Sequence, residues 1–388
     1  MAINPFAEAV ASIIETGGEA LKTCYQCGLC TATCPWNLVR EFLVRKIIHT
    51  GQIGLLLEVG DEENWLCATC GACVARCPRG VEIIEIWRAI RRIAIEHNAA
   101  PKALRTVLSG IKAQGNPWND TRDNRDKWAV DLGIDSALTE EHSELVYFPC
   151  CTPIYDQKVR RIASSTVSLL KRAGVDFGVL GAAESCCGES VRKLGSEDLF
   201  QNLARANIKA LEKRSVKKIL VSSPHCYHTF VHEYPELGGA FEVLHSSQFF
   251  LQLLEEDKLA INRPYPKKVA YHDPCYLGRH NSIYDEPRKI LASIPELELL
   301  ELPDNREDAL CCGGGGGKIW METKKEERLS NLRVDQALKM NAEVLALACP
   351  YCMLNFDDSV LAMGKGDVLE VKDITEILDI VTGEGHHG

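Results

Sequence analysis

The feature that most restricts the fold of this 388-residue chain is an internal repeat in its C-terminal part. Three cysteine-bearing segments recur at nearly constant offsets of 124, 125 and 126 residues: Cys151 and Cys275, Cys187 and Cys312, Cys226 and Cys352. In each copy, short β-branched runs alternate with apolar stripes at helical spacing. Strands that alternate with helices predict a small parallel sheet flanked by helices. The chain should therefore contain two copies of one α/β (βαβ, Rossmann-like) unit.

Predicted strands precede Cys151, Cys226, Cys275 and the pair Cys349 and Cys352, and the carboxyl ends of parallel strands meet at one edge of a sheet. We therefore expect each set to converge. The second copy supplies five cysteines: Cys275, Cys311, Cys312, Cys349 and Cys352. The first copy has Ser223 in place of Cys349, which leaves Cys151, Cys186, Cys187 and Cys226. Cys150 is a spare or an alternative ligand, and a further cluster and a structural vestige are both open for this copy.

Two cysteine runs near the N-terminus share the spacing C-x2-C-x2-C-x3-C-P. This spacing binds [4Fe–4S] cubanes, and the fourth cysteine of each run ligates the other cluster. One cubane is therefore assigned to Cys24, Cys27, Cys30 and Cys77. The other is assigned to Cys67, Cys70, Cys73 and Cys34. Zinc, the alternative, favours two cysteine pairs over a repeated triplet. Apolar residues at helical spacing around both runs predict an all-α helical ferredoxin domain.

Composition restricts the partners and the compartment. The net charge of −10 argues against a nucleic-acid partner, because phosphate binding needs a positive surface. The first residues lack the basic and apolar segments of a secretory signal, so the eighteen cysteines should be reduced and available to metals. No apolar run is long enough for a transmembrane helix. We expect a cytoplasmic protein that a partner would hold at the inner face of a membrane.

These patterns divide the chain into four segments. Residues 1–97 form the helical ferredoxin domain with two cubanes, and residues 98–143 form a connecting segment laid over the surface. Residues 144–262 form the degenerate copy of the repeat, and residues 263–388 form the complete copy. The predicted fold class is therefore multidomain, with an all-α domain followed by two α/β domains.

The five cysteines of the second copy, in Cys, Cys-Cys-Gly and Cys-Pro-x-Cys elements, resemble the CCG domain of heterodisulfide reductase catalytic subunits. In that family these cysteines hold a non-cubane [4Fe–4S] cluster that attacks a disulfide one electron at a time. The N-terminal part resembles the small iron–sulfur subunit of the same enzyme. The resemblance covers roughly residues 20–97 and 144–382, and chains with both parts fused are a known form of the family.

The first copy departs from the family pattern at Ser223, so one complete site remains. This makes the chain more similar to single-site relatives than to enzymes that act on a coenzyme M–coenzyme B heterodisulfide. The resemblance implies an oxidoreductase subunit that passes electrons through two cubanes to or from a non-cubane cluster, with a disulfide, thiol or sulfur-type substrate. The alternative is a pure relay between a flavoprotein (electron-transferring flavoprotein or acyl-CoA dehydrogenase) and a membrane quinone-reducing partner.

Several residues beside the complete site are candidates for other roles. His272 and Asp273 are candidates for proton transfer, although turn chemistry explains them equally well. Lys318 is a candidate for steering an anionic substrate. A five-glycine run would let backbone amides and a substrate reach the cluster, and a mobile loop is its alternative interpretation. Its cofactor-binding candidates are Gly313, Gly314 and Gly315. No dinucleotide fingerprint is present, so hydride chemistry should occur on another chain.

Overall fold

The computed structural model describes residues 6–55, 61–134 and 144–383. Its N-terminal part is helical, as the sequence predicted. The helices are α1 (Ala7–Glu15), α2 (Leu29–Ala32), α3 (Val44–Gln52), α4 (Asp61–Leu66), α5 (Ala72–Ala75) and α6 (Ile83–Glu96). Ile83, Trp87 and Ile90 follow helical spacing on α6 and are buried in one core with Phe42. The Phe42 and Trp87 rings stack with centroids 5.7 Å apart.

The connecting segment contains two helices, α7 (Lys102–Gln114) and α8 (Lys127–Asp131). α7 buries Leu104 and Ile111 on one face. Asn116, Arg125 and Trp128 are also buried. The segment therefore packs its apolar face inward, and its assignment as a connecting segment stays a prediction. Residues 135–143, which the same prediction included, lie outside the described residues.

The first repeat contains a three-stranded parallel sheet in the order β1-β2-β3. The strands are β1 (Leu145–Phe148), β2 (Lys218–Val221) and β3 (Glu242–His245). The helices are α9 (Cys151–Tyr155), α10 (Arg160–Arg172), α11 (Glu189–Lys193), α12 (Glu197–Lys213), α13 (Pro224–His228) and α14 (Ser246–Glu255). The central strand is apolar and buried at Ile219, Leu220 and Val221, as parallel sheets covered on both faces require.

The second repeat contains a four-stranded parallel sheet in the order β5-β4-β6-β7. The strands are β4 (Lys268–Tyr271), β5 (Glu298–Glu301), β6 (Val344–Leu347) and β7 (Glu370–Asp373). The helices are α15 (Asp285–Ala292), α16 (Leu329–Lys339), α17 (Pro350–Ala362) and α18 (Ile374–Thr382). Two parallel α/β units are thus confirmed, and the Rossmann-like description stays a prediction.

The two sheets share their pairing register. Leu145 pairs with Lys218 in the first repeat, and Val269 pairs with Val344 in the second. These pairs are related by the offsets of the sequence repeat. In the first repeat, an isolated parallel bridge between Val146 and Gly178 takes the place of the pairing between β4 and β5 in the second repeat. The repeated sequence therefore builds one topology twice.

Helices of the two repeats pack against each other across a common core. α10 of the first repeat packs against α18 of the second, and α14 of the first packs against α15 of the second. Leu170 and Leu378 are fully buried in the core cluster that spans both repeats. Each fully buried side chain of this size contributes about 1.5–3 kcal/mol of hydrophobic free energy. The interface between the repeats is therefore built as a continuous core.

Candidate iron–sulfur sites

The predicted ligands of the first cubane surround one cavity of about 360 Å³. Its cysteines come from both runs: Cys24, Cys27, Cys30 and Cys77. Gly28 precedes α2 with a φ of 87°, a conformation that glycine adopts without a Cβ clash. The Val81 amide lies 3.4 Å from the Cys77 sulfur. Because amide donors stabilise negative sulfurs, these residues fit a cubane. Their role as ligands stays a prediction.

The predicted ligands of the second cubane surround a cavity of about 390 Å³. These are Cys34, Cys67, Cys70 and Cys73. Trp36 and Phe42 form part of its apolar wall. Burial raises the pKa of the Cys67 thiol to about 11, although Arg91 and the Thr69 amide oppose this shift. Four cysteine sulfurs around one apolar cavity are the donor set that a [4Fe–4S] cluster uses, so these residues fit a cluster.

The five cysteines of the second repeat are all buried, and they lie in two adjoining core clusters, Cys275 and Cys311 in one and Cys312, Cys349 and Cys352 in the other. Their sulfurs contact one another in the order Cys275, Cys311, Cys312, Cys352 and Cys349. The Cys352 and Cys312 sulfurs are 3.3 Å apart, and the Gly313 amide lies 3.3 Å from the Cys311 sulfur. The expected convergence is present, and the non-cubane cluster that it would hold stays a prediction.

The second cubane cavity meets the five-cysteine site directly. Cys70 packs against the buried group that contains Cys275, Tyr276 and Cys311, and its thiol forms a hydrogen bond with that of Cys311. The glycine run makes this approach possible, since a Cβ on Gly315 would lie 2.3 Å from the Ala68 carbonyl oxygen. A Cβ on Gly316 would lie equally close to the preceding carbonyl. These glycines therefore leave room for the loop that contains Cys67 and Ala68, called the cubane loop below. This role was not predicted from the sequence. Cofactor binding by Gly313, Gly314 and Gly315 stays a prediction.

Arg91 forms hydrogen bonds with three parts of the chain. This role was not predicted from the sequence. Its buried guanidinium donates to four carbonyl oxygens at 2.9–3.2 Å, those of Asn64, Cys67, Lys193 and Gly316. These acceptors belong to the ferredoxin part and to both repeats. The signal was available, because Arg91 follows Trp87 by four residues and so lies on the apolar face of α6.

His272 and Asp273 are both held by arginines beside the five-cysteine site. Burial lowers the pKa of His272 to about 3, and Arg333 Nε lies 3.4 Å from its Nδ1. Asp273 accepts two hydrogen bonds from Arg288 at 2.7 and 2.8 Å and one from the Arg306 amide at 2.9 Å. These contacts favour structural roles, and proton transfer by either residue stays a prediction.

Lys318 lines a cleft that reaches the five-cysteine site. The same cleft is lined by Cys312, Gly313 and Asn355, with the exposed Glu322 at its rim. The Lys318 ammonium lies 5.5 Å above the Trp36 ring, and burial lowers the pKa of this lysine. The Asn355 amide nitrogen is 3.8 Å from the Cys312 sulfur. A small molecule in this cleft would therefore meet a sulfur ligand, an amide and a cation together.

The four predicted cysteines of the first repeat also converge. Contacts run from Cys151 to Cys186, then to Cys187 and Cys226. The fully buried Arg125 points a nitrogen at the Cys151 sulfur at 3.5 Å and forms an ion pair with Glu184. Arg125 was not predicted from the sequence, because its segment has no periodic pattern that would indicate burial.

A stacked group of side chains separates the two cysteine sites. His225 lies between Tyr276 and Tyr351, with ring centroids at 4.0 and 4.7 Å. Its Nδ1 is 3.2 Å from a Glu189 carboxylate oxygen, and its ring contacts Cys349. Burial favours the neutral ring, but Glu189 raises the pKa of His225 to about 10. A residue of the first repeat therefore contacts a cysteine of the second.

Comparison with known proteins identifies the family. Residues 23–82 match the model of the 4Fe-4S dicluster domain, and residues 145–231 and 269–357 each match that of the cysteine-rich domain. One subunit of the dihydromethanophenazine:CoB–CoM heterodisulfide reductase of Methanosarcina barkeri is 34% identical over 307 residues. The alignment covers 77% of this chain and 73% of that protein. The chain belongs to this family of heterodisulfide reductase subunits.

This heterodisulfide reductase homologue also resembles two longer proteins. The probable iron-sulfur-binding oxidoreductase FadF of Bacillus subtilis is 39% identical over 70% of the chain. The EtfAB:quinone oxidoreductase of Syntrophomonas wolfei is 34% identical over 74% of the chain. The alignments span 40% and 42% of those proteins. Within the part of the chain that the structure describes, no helix has the length and apolarity needed to cross a membrane.

Proposed function

We propose that this heterodisulfide reductase homologue passes electrons through two [4Fe–4S] cubanes to or from a non-cubane [4Fe–4S] cluster at the second repeat. The contact between Cys70 and Cys311 carries this proposal. It joins a ligand of the second cubane to a ligand of the five-cysteine site. When bound, the clusters would supply one-electron transfer at potentials set by hydrogen bonds and exposure.

The order of the sites gives the electron path its two ends. Cys27 is exposed, and Tyr25 and Leu29 beside it are 58% and 40% exposed. The first cubane site is therefore the accessible one, and a redox partner would dock on this face. The five-cysteine site is the buried end of the same path. Electrons would enter or leave the protein at Tyr25 and be used beside Cys312.

The cleft at Cys312 supports chemistry on a small substrate. A disulfide there would accept two electrons and two protons and be released as two thiols. Lys318 would bind an anionic part of such a substrate, and the Asn355 amide would orient it beside the sulfur. Because the glycines around the site have no side chains, they leave the approach to the sulfur open. A disulfide, thiol or sulfur-type compound is the substrate class that this cleft suits best.

A pure relay is the second candidate function, and the name of one relative favours it while that of another suits either function. One is named an EtfAB:quinone oxidoreductase and the other an iron-sulfur-binding oxidoreductase. In this role the chain would carry electrons between a flavoprotein and a membrane quinone-reducing partner. That partner would hold a cytoplasmic chain at the inner face of the membrane.

Anaerobic iron analysis and EPR spectroscopy test the main proposal. Changing Cys312 to Ser should remove about four irons per chain, because one of the five sulfurs that hold the second-repeat cluster is lost. Adding a small disulfide or thiol to the wild-type protein should produce a new paramagnetic species that this variant lacks. No loss of iron would contradict the second-repeat cluster. Oxidation by a partner protein without any response to disulfides would favour the relay.

A further inference from the structure

The first repeat contains a fifth cysteine in contact with the four that its sequence pattern predicted. Cys150 contacts the Cys226 sulfur, and Cys226 contacts Cys187. The contact order in this repeat is therefore Cys151, Cys186, Cys187, Cys226 and Cys150. In the second repeat the order is Cys275, Cys311, Cys312, Cys352 and Cys349. All five cysteines of the first repeat lie in one core cluster, and Cys150 takes the place in the contact order that Cys349 has in the second repeat.

The residue that corresponds to Cys349 in sequence is Ser223, which supplies no sulfur. Ser223 precedes α13 as Cys349 precedes α17, and both are followed by proline at the first helical position. The Ser223 side chain is fully buried, and its oxygen has no hydrogen-bond partner among the described residues. A buried unsatisfied hydroxyl is unfavourable. Ser223 thus leaves a polar atom unsatisfied three residues before Cys226.

Cys150 reaches the cluster through an unusual backbone conformation. Its φ is 77° and its ψ is 151°, a region that residues with a Cβ rarely adopt. Such strain persists only where the surroundings fix it, and it concentrates at functional sites. The corresponding position in the second repeat is Pro274, whose ring excludes a positive φ. The chain path therefore differs between the repeats at the residue that adds the sulfur.

The surroundings of the first-repeat cysteines also fit a metal cluster. All five are buried, and the Gly188 amide lies 3.5 Å from the Cys186 sulfur. The Gly313 amide makes the same contact with Cys311 in the second repeat. Arg125 lies beside Cys151 and would offset part of the charge of buried thiolates. The pocket thus supplies five sulfurs, an amide donor and a buried guanidinium that is shared with Glu184.

We propose that Cys150 replaces the missing thiolate and that the first repeat binds its own iron–sulfur cluster. The ligands would be Cys150, Cys151, Cys186, Cys187 and Cys226. This inference goes beyond the proposed function, which needs only the second repeat. The chain would then carry four clusters, and the substitution of Ser for Cys at position 223 would be compensated from a different strand end.

Changing Cys150 to Gly provides a sharp test. Glycine tolerates the positive φ, so the full-length variant should fold with an unchanged or higher melting temperature as apoprotein. Purified anaerobically, the wild-type chain should contain about sixteen irons, taking four per cluster. The variant should contain about twelve, with an unchanged EPR response of the second repeat to thiol. Adding Ser223→Cys to this variant should return the iron content to about sixteen, because the sequence position of Cys349 is refilled.

Other outcomes would overturn the inference. An equal iron content in the wild type and Cys150→Gly means that Cys150 is not a ligand. Failure of Ser223→Cys to restore iron means that Cys150 does not take the place of Cys349. Loss of the second-repeat EPR signal in Cys150→Gly means that the change acts on the whole fold. The Cys312→Ser variant reports separately on the proposed function, so the two failures are distinguishable.

Discussion

The two repeats share a topology and a contact order of five cysteines, but they differ in what surrounds those cysteines. In the second repeat, Gly315 and Gly316 admit the cubane loop, and Cys70 contacts Cys311. In the first repeat, a short helix from Glu189 replaces most of the glycine run. The cysteine pocket is therefore a property of the fold. Connection to the proposed electron path depends on the loop after Cys-Cys-Gly, where the second repeat has glycines in place of side chains.

The lysine that follows each of these loops shows the same contrast. Lys193 and Lys318 are related by the repeat offset of 125 residues. Lys193 forms a buried ion pair with Glu233 at 2.7 Å. Lys318 forms no ion pair within the described part of the chain and lines the cleft beside Cys312. One lysine is thus used for structure, and the other is available to a substrate.

The largest predicted effect tests the Arg91 hydrogen bonds that connect both repeats to the ferredoxin part. Changing Arg91 to Met should lower the free energy of unfolding by about 3–5 kcal/mol, because four carbonyl oxygens lose a charged buried donor. Urea unfolding of the full chain measures this. Changing Arg105, whose exposed side chain makes one hydrogen bond, should have little effect. An equal loss of stability in the Arg91 and Arg105 variants would contradict this role of Arg91.

The second prediction compares the residues that begin the last helix of each repeat. His245 precedes α14 and Asp373 precedes α18, and both form capping boxes. Burial lowers the pKa of His245 to about 3, below its unfolded value of about 6.5. The unfolded state then binds more protons, so stability should fall by about 2 kcal/mol between pH 6.5 and pH 5. Changing His245 to Asn should remove this dependence in urea titrations.

Asp373 should act in the opposite direction. Burial raises its pKa to about 7, above its unfolded value of about 3.9. The folded state then binds more protons, so this group contributes less stability as pH rises from about 4 to 7. Changing Asp373 to Asn should flatten that part of the profile. A profile that neither variant alters would contradict the assigned shifts.

The third prediction tests the approach of the cubane loop. Changing Gly315 to Ala should slow electron transfer to the second repeat about tenfold, since a Cβ 2.3 Å from the Ala68 carbonyl oxygen must displace the loop. Stopped-flow reduction of the clusters measures the rate. Changing Gly366, where a Cβ meets nothing within 4 Å, is the control. The corresponding residue of the first repeat is Ser190, so that repeat already accepts a side chain at this position.

The smallest predicted effect separates the two lysines. Changing Lys318 to Met should raise the KM for an anionic disulfide about fivefold and leave kcat nearly unchanged, because a group that binds substrate without reacting is lost. Changing Lys193 to Met should instead lower stability, because the buried Glu233 would lose its nearer cation and keep only Arg192 at 3.7 Å. A rise in KM for the Lys193 variant alone would reverse the assignment of the cleft.

Much of the architecture could be predicted from the sequence because it follows from local spacing. The two cysteine runs alone divided eight cysteines between the two cavities that the structure shows. The repeat offsets likewise anticipated the shared register. Arg91 and Gly316 were not recognised, because their contacts join residues 225 positions apart. The place of Cys150 depends on a backbone angle that no spacing rule describes.

The reciprocal packing of helices between the repeats has a consequence for how the two sites diverge. α10 against α18 and α15 against α14 form the pattern of a symmetric dimer whose two halves have been joined in one chain. In a dimer of identical chains, any substitution appears in both sites at once. In a joined chain each site mutates alone, so one can keep Cys349 while the other acquires Ser223 and Cys150. Fusion thus allows one pocket to change while the other continues to function.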